Sequence, residues 1–124
     1  MKILLIDDDV FLRDMYATKF TECGHIVDAA ENATVALSKL QAVQDFDVIL
    51  LDMIMPGLTG TELIAEIKAR YPKIESKFIV LSNQGQQEDI DGAMAAGADG
   101  YIIKAESIPS DVIKKIESIF KKNK

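Results

Sequence analysis

A single cysteine, a single histidine and only three prolines occur in this 124-residue sequence, and each shortage closes off a class of protein. Cys23 alone cannot form an internal disulfide, which agrees with a reducing compartment. It falls before Gly24 at the end of a helical pattern and reads as a packing thiol. His25 lies far in sequence from the acidic segments, and no chemical role is expected of it. No apolar run approaches the ~20 residues needed to cross a bilayer. The first residues are too short and too acidic a stretch for a signal peptide, so a cytoplasmic protein without membrane insertion is expected. Basic residues are also scarce. Fourteen Lys and Arg against 20 Asp and Glu give a formal charge of −6, so no basic stripe exists for direct nucleic-acid binding. Basic Lys121, Lys122 and Lys124 instead complement a helix C-terminus. Repeats, linkers and low-complexity segments are absent, and the length suits one domain spanning 1–124.

What the sequence has is four apolar runs that each stop on a polar residue. Ile3-Leu4-Leu5-Ile6 ends at Asp7-Asp8-Asp9, and Val48-Ile49-Leu50-Leu51 ends at Asp52. Phe78-Ile79-Val80-Leu81 ends at Ser82, and Tyr101-Ile102-Ile103 ends at Lys104. Short continuous apolar runs suit parallel strands covered by helices on both faces. Another strand is expected at about 25–29.

Helical periodicity fills the gaps. Leu12, Met15, Tyr16 and Phe20 form one face, stopped by Gly24; Ala33, Ala36, Leu37 and Leu40 form the next. Beyond a Pro56-Gly57 turn, Thr59 or Thr61 caps a helix with inner face Leu63, Ile64, Ile67 and Tyr71, followed by Pro72. Ile90, Ala93 and Met94 lead to a stop at Gly97. Val112, Ile113, Ile116, Ile119 and Phe120 form the last face, opened by Pro109. The β-α order, repeated to give five strands and five helices, predicts a single α/β domain: a flavodoxin-like, doubly wound parallel sheet of order 2-1-3-4-5.

In such a sheet the C-terminal strand ends share one edge, where ligands bind. Asp7, Asp8, Asp52, Ser82 and Lys104 therefore converge. Unit charges ~4 Å apart repel by about 4 kcal/mol at an effective dielectric of 20, so clustered carboxylates raise a pKa or hold a cation. Oxygen ligands without nearby His or Cys favour Mg²⁺ or Mn²⁺ over zinc, with room left for a phosphoryl group. Asp9 is assigned as the N-cap of the first helix, leaving Asp7 and Asp8 for the metal. Lys104 suits a phosphate or Asp52 as a point charge, and the Ser82 hydroxyl can donate to an oxyanion.

Over nearly its whole length the chain resembles the receiver domains of bacterial response regulators. The matching segments are Ile3 to Asp9, Leu50 to Gly57, Val80-Leu81-Ser82, and Gly97-Ala98-Asp99-Gly100-Tyr101-Ile102-Ile103-Lys104. The resemblance implies a phospho-accepting switch, not an enzyme with an external substrate. By it, Asp52 accepts a phosphoryl group from a sensor histidine kinase or phosphotransfer protein. Asp8 and Asp52 bind Mg²⁺ directly, Asp7 acts through water, and the Ile54 main-chain carbonyl is a further ligand. Ser82 and Tyr101 correspond to the switch pair, Lys104 to the phosphate-binding lysine, and the face of helix four, strand five and helix five to the surface read by a downstream protein. A stand-alone protein and a receiver excised from a longer regulator, its output domain missing, both suit the sequence.

Four positions are to be weighed against the pattern. Ala105 stands where receivers usually have proline after a cis bond; the Lys104–Ala105 bond is expected to stay cis despite a cost of ~3–4 kcal/mol before a non-proline residue. Asn83 replaces a small residue. Ile54 and Gln84 occupy positions that tune hydrolysis, and Ile54 offers an attacking water no hydrogen bond. The alternative is an aspartyl-phosphate phosphatase or phosphotransferase of the haloacid dehalogenase type, which carries an acid two residues after the nucleophile, where Ile54 stands. A flavin carrier on the same topology is disfavoured because three aspartates would repel a flavin phosphate.

Overall fold

Strands and helices alternate without exception in the computed structural model, which describes residues 1–55, 57–83, 85–104 and 109–122. The elements are β1 (Lys2–Ile6), α1 (Val10–Glu22), β2 (Ile26–Ala30), α2 (Ala33–Ala42), β3 (Val48–Leu51), α3 (Gly60–Arg70), β4 (Lys77–Ser82), α4 (Gln87–Ala96), β5 (Gly100–Ile103) and α5 (Pro109–Lys122). All strand pairings are parallel, in the order β2-β1-β3-β4-β5. The flavodoxin-like topology expected from the sequence is therefore present. Successive side chains on a strand point to opposite faces, and this divides the core in two. Leu4, Ile6, Ile49, Leu51, Phe78 and Val80 share one cluster with α2 and α3. Ile3, Leu5, Val48, Leu50, Ile79 and Leu81 face the other way, against Tyr16 and Phe20 of α1 and Val112, Ile113 and Ile116 of α5.

Polar signals set the helix ends. Asp9 caps α1, its carboxylate accepting from the N–H groups of Phe11 (3.0 Å) and Leu12 (3.1 Å). Thr59, rather than Thr61, caps α3: its Oγ accepts from Glu62 N–H while the Glu62 carboxylate accepts from Thr59 N–H. These bonds to Thr59 hold the exposed Glu62 carboxyl below its usual pKa. Gly97 ends α4 in the left-handed region at φ 111°, which a side chain would resist.

Several expectations need adjustment. The second strand begins at Ile26, one residue later than read from the sequence. Met15 and Met94 are exposed, so α1 turns inward on Tyr16 and Phe20, and α4 on Ala93. Cys23 is exposed at the C-cap of α1 and is not a core packing residue. The Lys104–Ala105 bond and Gln84 lie outside the described residues.

Candidate functional site

Register levels the strand ends. Ile6 of β1 pairs with Leu51 of β3, and Leu51 with Val80 of β4. The next residues, Asp7 and Asp52, thus leave the same edge side by side. The ladder persists one step further, with Asp52 N–H donating to Ile6 O at 3.1 Å and Asp7 N–H to Ala30 O at 3.1 Å. β4 runs on to Ser82, which pairs with Ile103, and Lys104 follows. Residues from four segments thereby share one end of the sheet.

Carboxylate oxygens of Asp7, Asp8 and Asp52 lie within 4.8 Å of one another. Asp7 is buried, Asp52 half-buried and Asp8 exposed. The Lys104 ammonium donates to Asp7 Oδ2 at 3.0 Å and to Asp52 Oδ2 at 3.1 Å. Its side chain is only 7% exposed. Burial alone would lower the Lys104 pKa, but the charges and hydrogen bonds of Asp52 and Asp7 outweigh it and the net shift is upward. Lysine therefore stays charged throughout the neutral range. Three carboxylates and one ammonium carry a formal charge of −2, which matches a divalent cation. Exclusively oxygen donors and one open side fit Mg²⁺ or Mn²⁺.

The β1–α1 loop is held firmly. Asp7 Oδ1 accepts from Asp9 N–H at 3.0 Å, and Arg13 Nη1 donates to the Asp7 carbonyl oxygen at 2.9 Å. Sequence reasoning did not single out Arg13, since no motif says that an arginine one turn into a helix reaches back to the strand end. Opposite, Asp52 Oδ1 accepts from Ile54 N–H at 3.3 Å. A cleft of about 400 Å³ opens above the acids, lined among others by Asp8, Asp52, Ile54, Ser82, Asn83 and Lys104. Ile54 is 59% exposed at its rim.

Ser82 is buried, and its hydroxyl shares a hydrogen bond with the half-buried Tyr101 phenol. Tyr101 also packs against the core beside α3 and α4. Burial raises its pKa; the Ser82 bond opposes this, and the negative charges of Asp89 and Asp52 add to the rise. Tyr101 thus stays neutral and can donate. His25 lies away from this edge, its Nδ1 hydrogen-bonded at 2.9 Å to the N-terminal amine.

A family profile described as response regulator receiver domain matches residues 3–117. The chain is 35% identical over 109 residues to chemotaxis protein CheY of Halobacterium salinarum, covering 88% of each. It is 33% identical over 104 residues to the two-component response regulator PhoP of Pseudomonas aeruginosa, covering 84% of this chain and 45% of that one. It is 31% identical over 122 residues to the transcriptional regulatory protein ResD of Bacillus subtilis, covering 98% and 48%. The chain thus spans about half the length of those two regulators. Among solved structures, chemotaxis protein CheY4 of Vibrio cholerae superposes with a TM-score of 0.87 at 27% identity, over 95% of this chain and 97% of that one. A CheY-like receiver domain protein of Methanospirillum hungatei gives 0.86 at 29% identity, over 98% and 94%.

Proposed function

The chain belongs to the response regulator receiver domain family of two-component signalling, and on that premise we propose that Asp52 accepts a phosphoryl group and thereby switches a protein-binding face. Receiver domains are signalling switches rather than enzymes acting on an external substrate. The donor is a phosphohistidine on a sensor kinase or phosphotransfer protein. An Asp52 carboxylate oxygen forms a bond to phosphorus as the phosphorus–nitrogen bond breaks, and the electron pair returns to the imidazole. The product is an aspartyl phosphate.

The observation that carries this reading is the convergence of Asp7, Asp8 and Asp52 within 4.8 Å, with Lys104 bonded to two of them. Asp8 and Asp52 would hold Mg²⁺ directly, Asp7 through water, and the Ile54 carbonyl would complete the protein ligands. The cation would neutralise the phosphoryl oxygens against the nucleophile's own charge. Lys104 is within reach of both Asp52 and an incoming phosphoryl oxygen. Ser82 then has two competing acceptors: the Tyr101 oxygen and the phosphoryl group, whose added charge makes it the stronger. When Ser82 turns to the phosphoryl group, the Tyr101 phenol loses that partner and repacks. The face of α4, β5 and α5 changes with it, as a two-state element read by a downstream protein or an attached output domain. The same reading keeps the protein in the cytoplasm; no helix among the described residues is long and apolar enough to cross a membrane.

Incubation with Mg²⁺ and acetyl phosphate tests the reading. Intact mass should rise by one phosphoryl group in the wild type and stay unchanged in Asp52→Ala, and beryllofluoride should shift the Ser82 and Tyr101 amide resonances only in the wild type. An unmodified wild type, or an equally modified variant, overturns it. Ile54 leads to a second prediction. Its exposed side chain at the cleft rim cannot orient a water, so Ile54→Asn should lose its phosphoryl group faster than wild type. Mass spectrometry after removal of acetyl phosphate measures this, and a longer-lived phosphoprotein in the variant contradicts it.

A further inference from the structure

Arg13 clasps the loop that presents Asp8. Its guanidinium donates to the Asp7 carbonyl oxygen at 2.9 Å, and its main-chain N–H donates to the Asp9 carbonyl oxygen at 2.9 Å. Asp8 lies between these two anchored carbonyls. The Asp7 carbonyl belongs to the peptide unit that ends at the Asp8 nitrogen, so fixing that oxygen fixes the plane from which Asp8 departs. Asp7 and Asp9 are secured in other ways as well. Asp7 bonds Lys104 and the Asp9 N–H, while Asp9 caps α1. Asp8 has no such support: its exposed carboxylate has no hydrogen-bond partner among the described residues, yet its oxygen reaches the cluster. Main-chain orientation must therefore aim it.

The choice of an arginine is informative. Asp7, Asp8 and Asp9 precede Arg13 by four to six residues and Asp14 follows it directly, but among the described residues Arg13 forms no ion pair within 4.0 Å. Its side-chain bond is to a neutral carbonyl. From this we infer that Arg13 is a positioning residue for the divalent cation, acting on Asp8 through the Asp7–Asp8 peptide; the inference rests on the cation site proposed above. Outer partners of this kind typically change metal affinity by 10–100-fold when removed.

Charge and geometry pull in opposite directions here, which makes the test decisive. Removing a positive charge beside a cation site should tighten binding by Coulomb's law. Removing a positioning bond should weaken it. Titration of the metal-free protein with Mg²⁺ alone, followed by calorimetry and amide shifts, is expected to show roughly tenfold weaker binding in Arg13→Met. Arg13→Lys, which keeps a donor of similar reach, should recover most of the affinity. In an Asp8→Asn background, Arg13→Met should bring no further loss, because the residue on which it acts is disabled. Unchanged amide shifts on β4 and α3 establish that the variants are folded. Equal or tighter Mg²⁺ binding by Arg13→Met overturns the inference, as does an equal loss in the Asp8→Asn background. Should the wild type bind Mg²⁺ and take phosphate while Arg13→Met binds as well, the inference fails alone. Should the wild type bind no Mg²⁺, the proposed cation site fails and takes the inference with it.

Discussion

Lys104→Met is expected to unfold about 3 kcal/mol more easily than wild type in metal-free buffer, the range seen when one partner of a buried ion pair is removed. The size follows from what remains. Lys104 bonds Asp7 and Asp52, whose side chains are 3% and 14% exposed. Without the ammonium, neither carboxylate keeps a cationic partner among the described residues. Their mutual repulsion at this separation is on the order of 3–4 kcal/mol at an effective dielectric of 20. Lost methylene packing is small, since methionine replaces most of the lysine stem. A divalent cation should reverse much of the loss, because it binds the folded state and meets a site one charge more negative than before. Urea unfolding in EDTA and in excess Mg²⁺, followed by circular dichroism, checks both parts. A variant within 1 kcal/mol of wild type without metal, or a deficit indifferent to Mg²⁺, contradicts the argument.

The pH dependence of this difference has a defined sign. Lys104 is raised above its ordinary value of 10.5, so the folded state holds its proton more tightly than the unfolded state. Its contribution is fully present below the unfolded value and fades as pH climbs through the folded one. The Lys104 contribution to the gap between wild type and Lys104→Met should thus be flat through neutrality and fade in strong alkali.

Much of the site was legible in the sequence because a parallel sheet converts sequence distance into proximity. Each apolar run marks a strand, each strand end lies on one edge, and the polar residue after the run is delivered there. Asp7 and Asp52 needed no more than that. The less legible features depend on rotations and reach that periodicity does not encode. Met15 and Met94 fit a helical repeat yet fall outside the buried arc, because a spacing of three or four fixes a stripe but not its edges. β2 is an edge strand whose side chains are mostly half-buried, so its start blurred by one residue. The Arg13 bond is a side-chain–main-chain contact, and side-chain reach leaves no periodic trace. The shared hydrogen bond of Ser82 and Tyr101 joins residues that both begin or end apolar runs, but their pairing depends on the β4–β5 register.

Gly60→Ala should be among the most damaging single-methyl changes in the chain. Gly60 opens α3, its N–H donating to Met53 O at 2.7 Å. A methyl at its Cα would lie 2.6 Å from the Asp52 carbonyl oxygen and 3.0 Å from Met53 Cα. Both are backbone atoms and cannot rotate away as a flexible side chain would. Either the helix start retreats and loses its bond to Met53, or the segment carrying Asp52 shifts. Overpacking of this kind costs roughly 1–3 kcal/mol, and displacement of a reacting group by about 1 Å can slow chemistry 100-fold. Stability and phosphorylation should therefore fall together: a lower urea midpoint, and acetyl phosphate labelling slower by one to two orders of magnitude. Gly92→Ala supplies the contrast. It lies within α4 with nothing within 4 Å of the added methyl, so alanine should raise stability by about 0.5–1 kcal/mol and leave labelling unchanged. If Gly60→Ala labels at the wild-type rate, the α3 start does not constrain Asp52, and close packing of helix on nucleophile is not what holds this edge of the site in place.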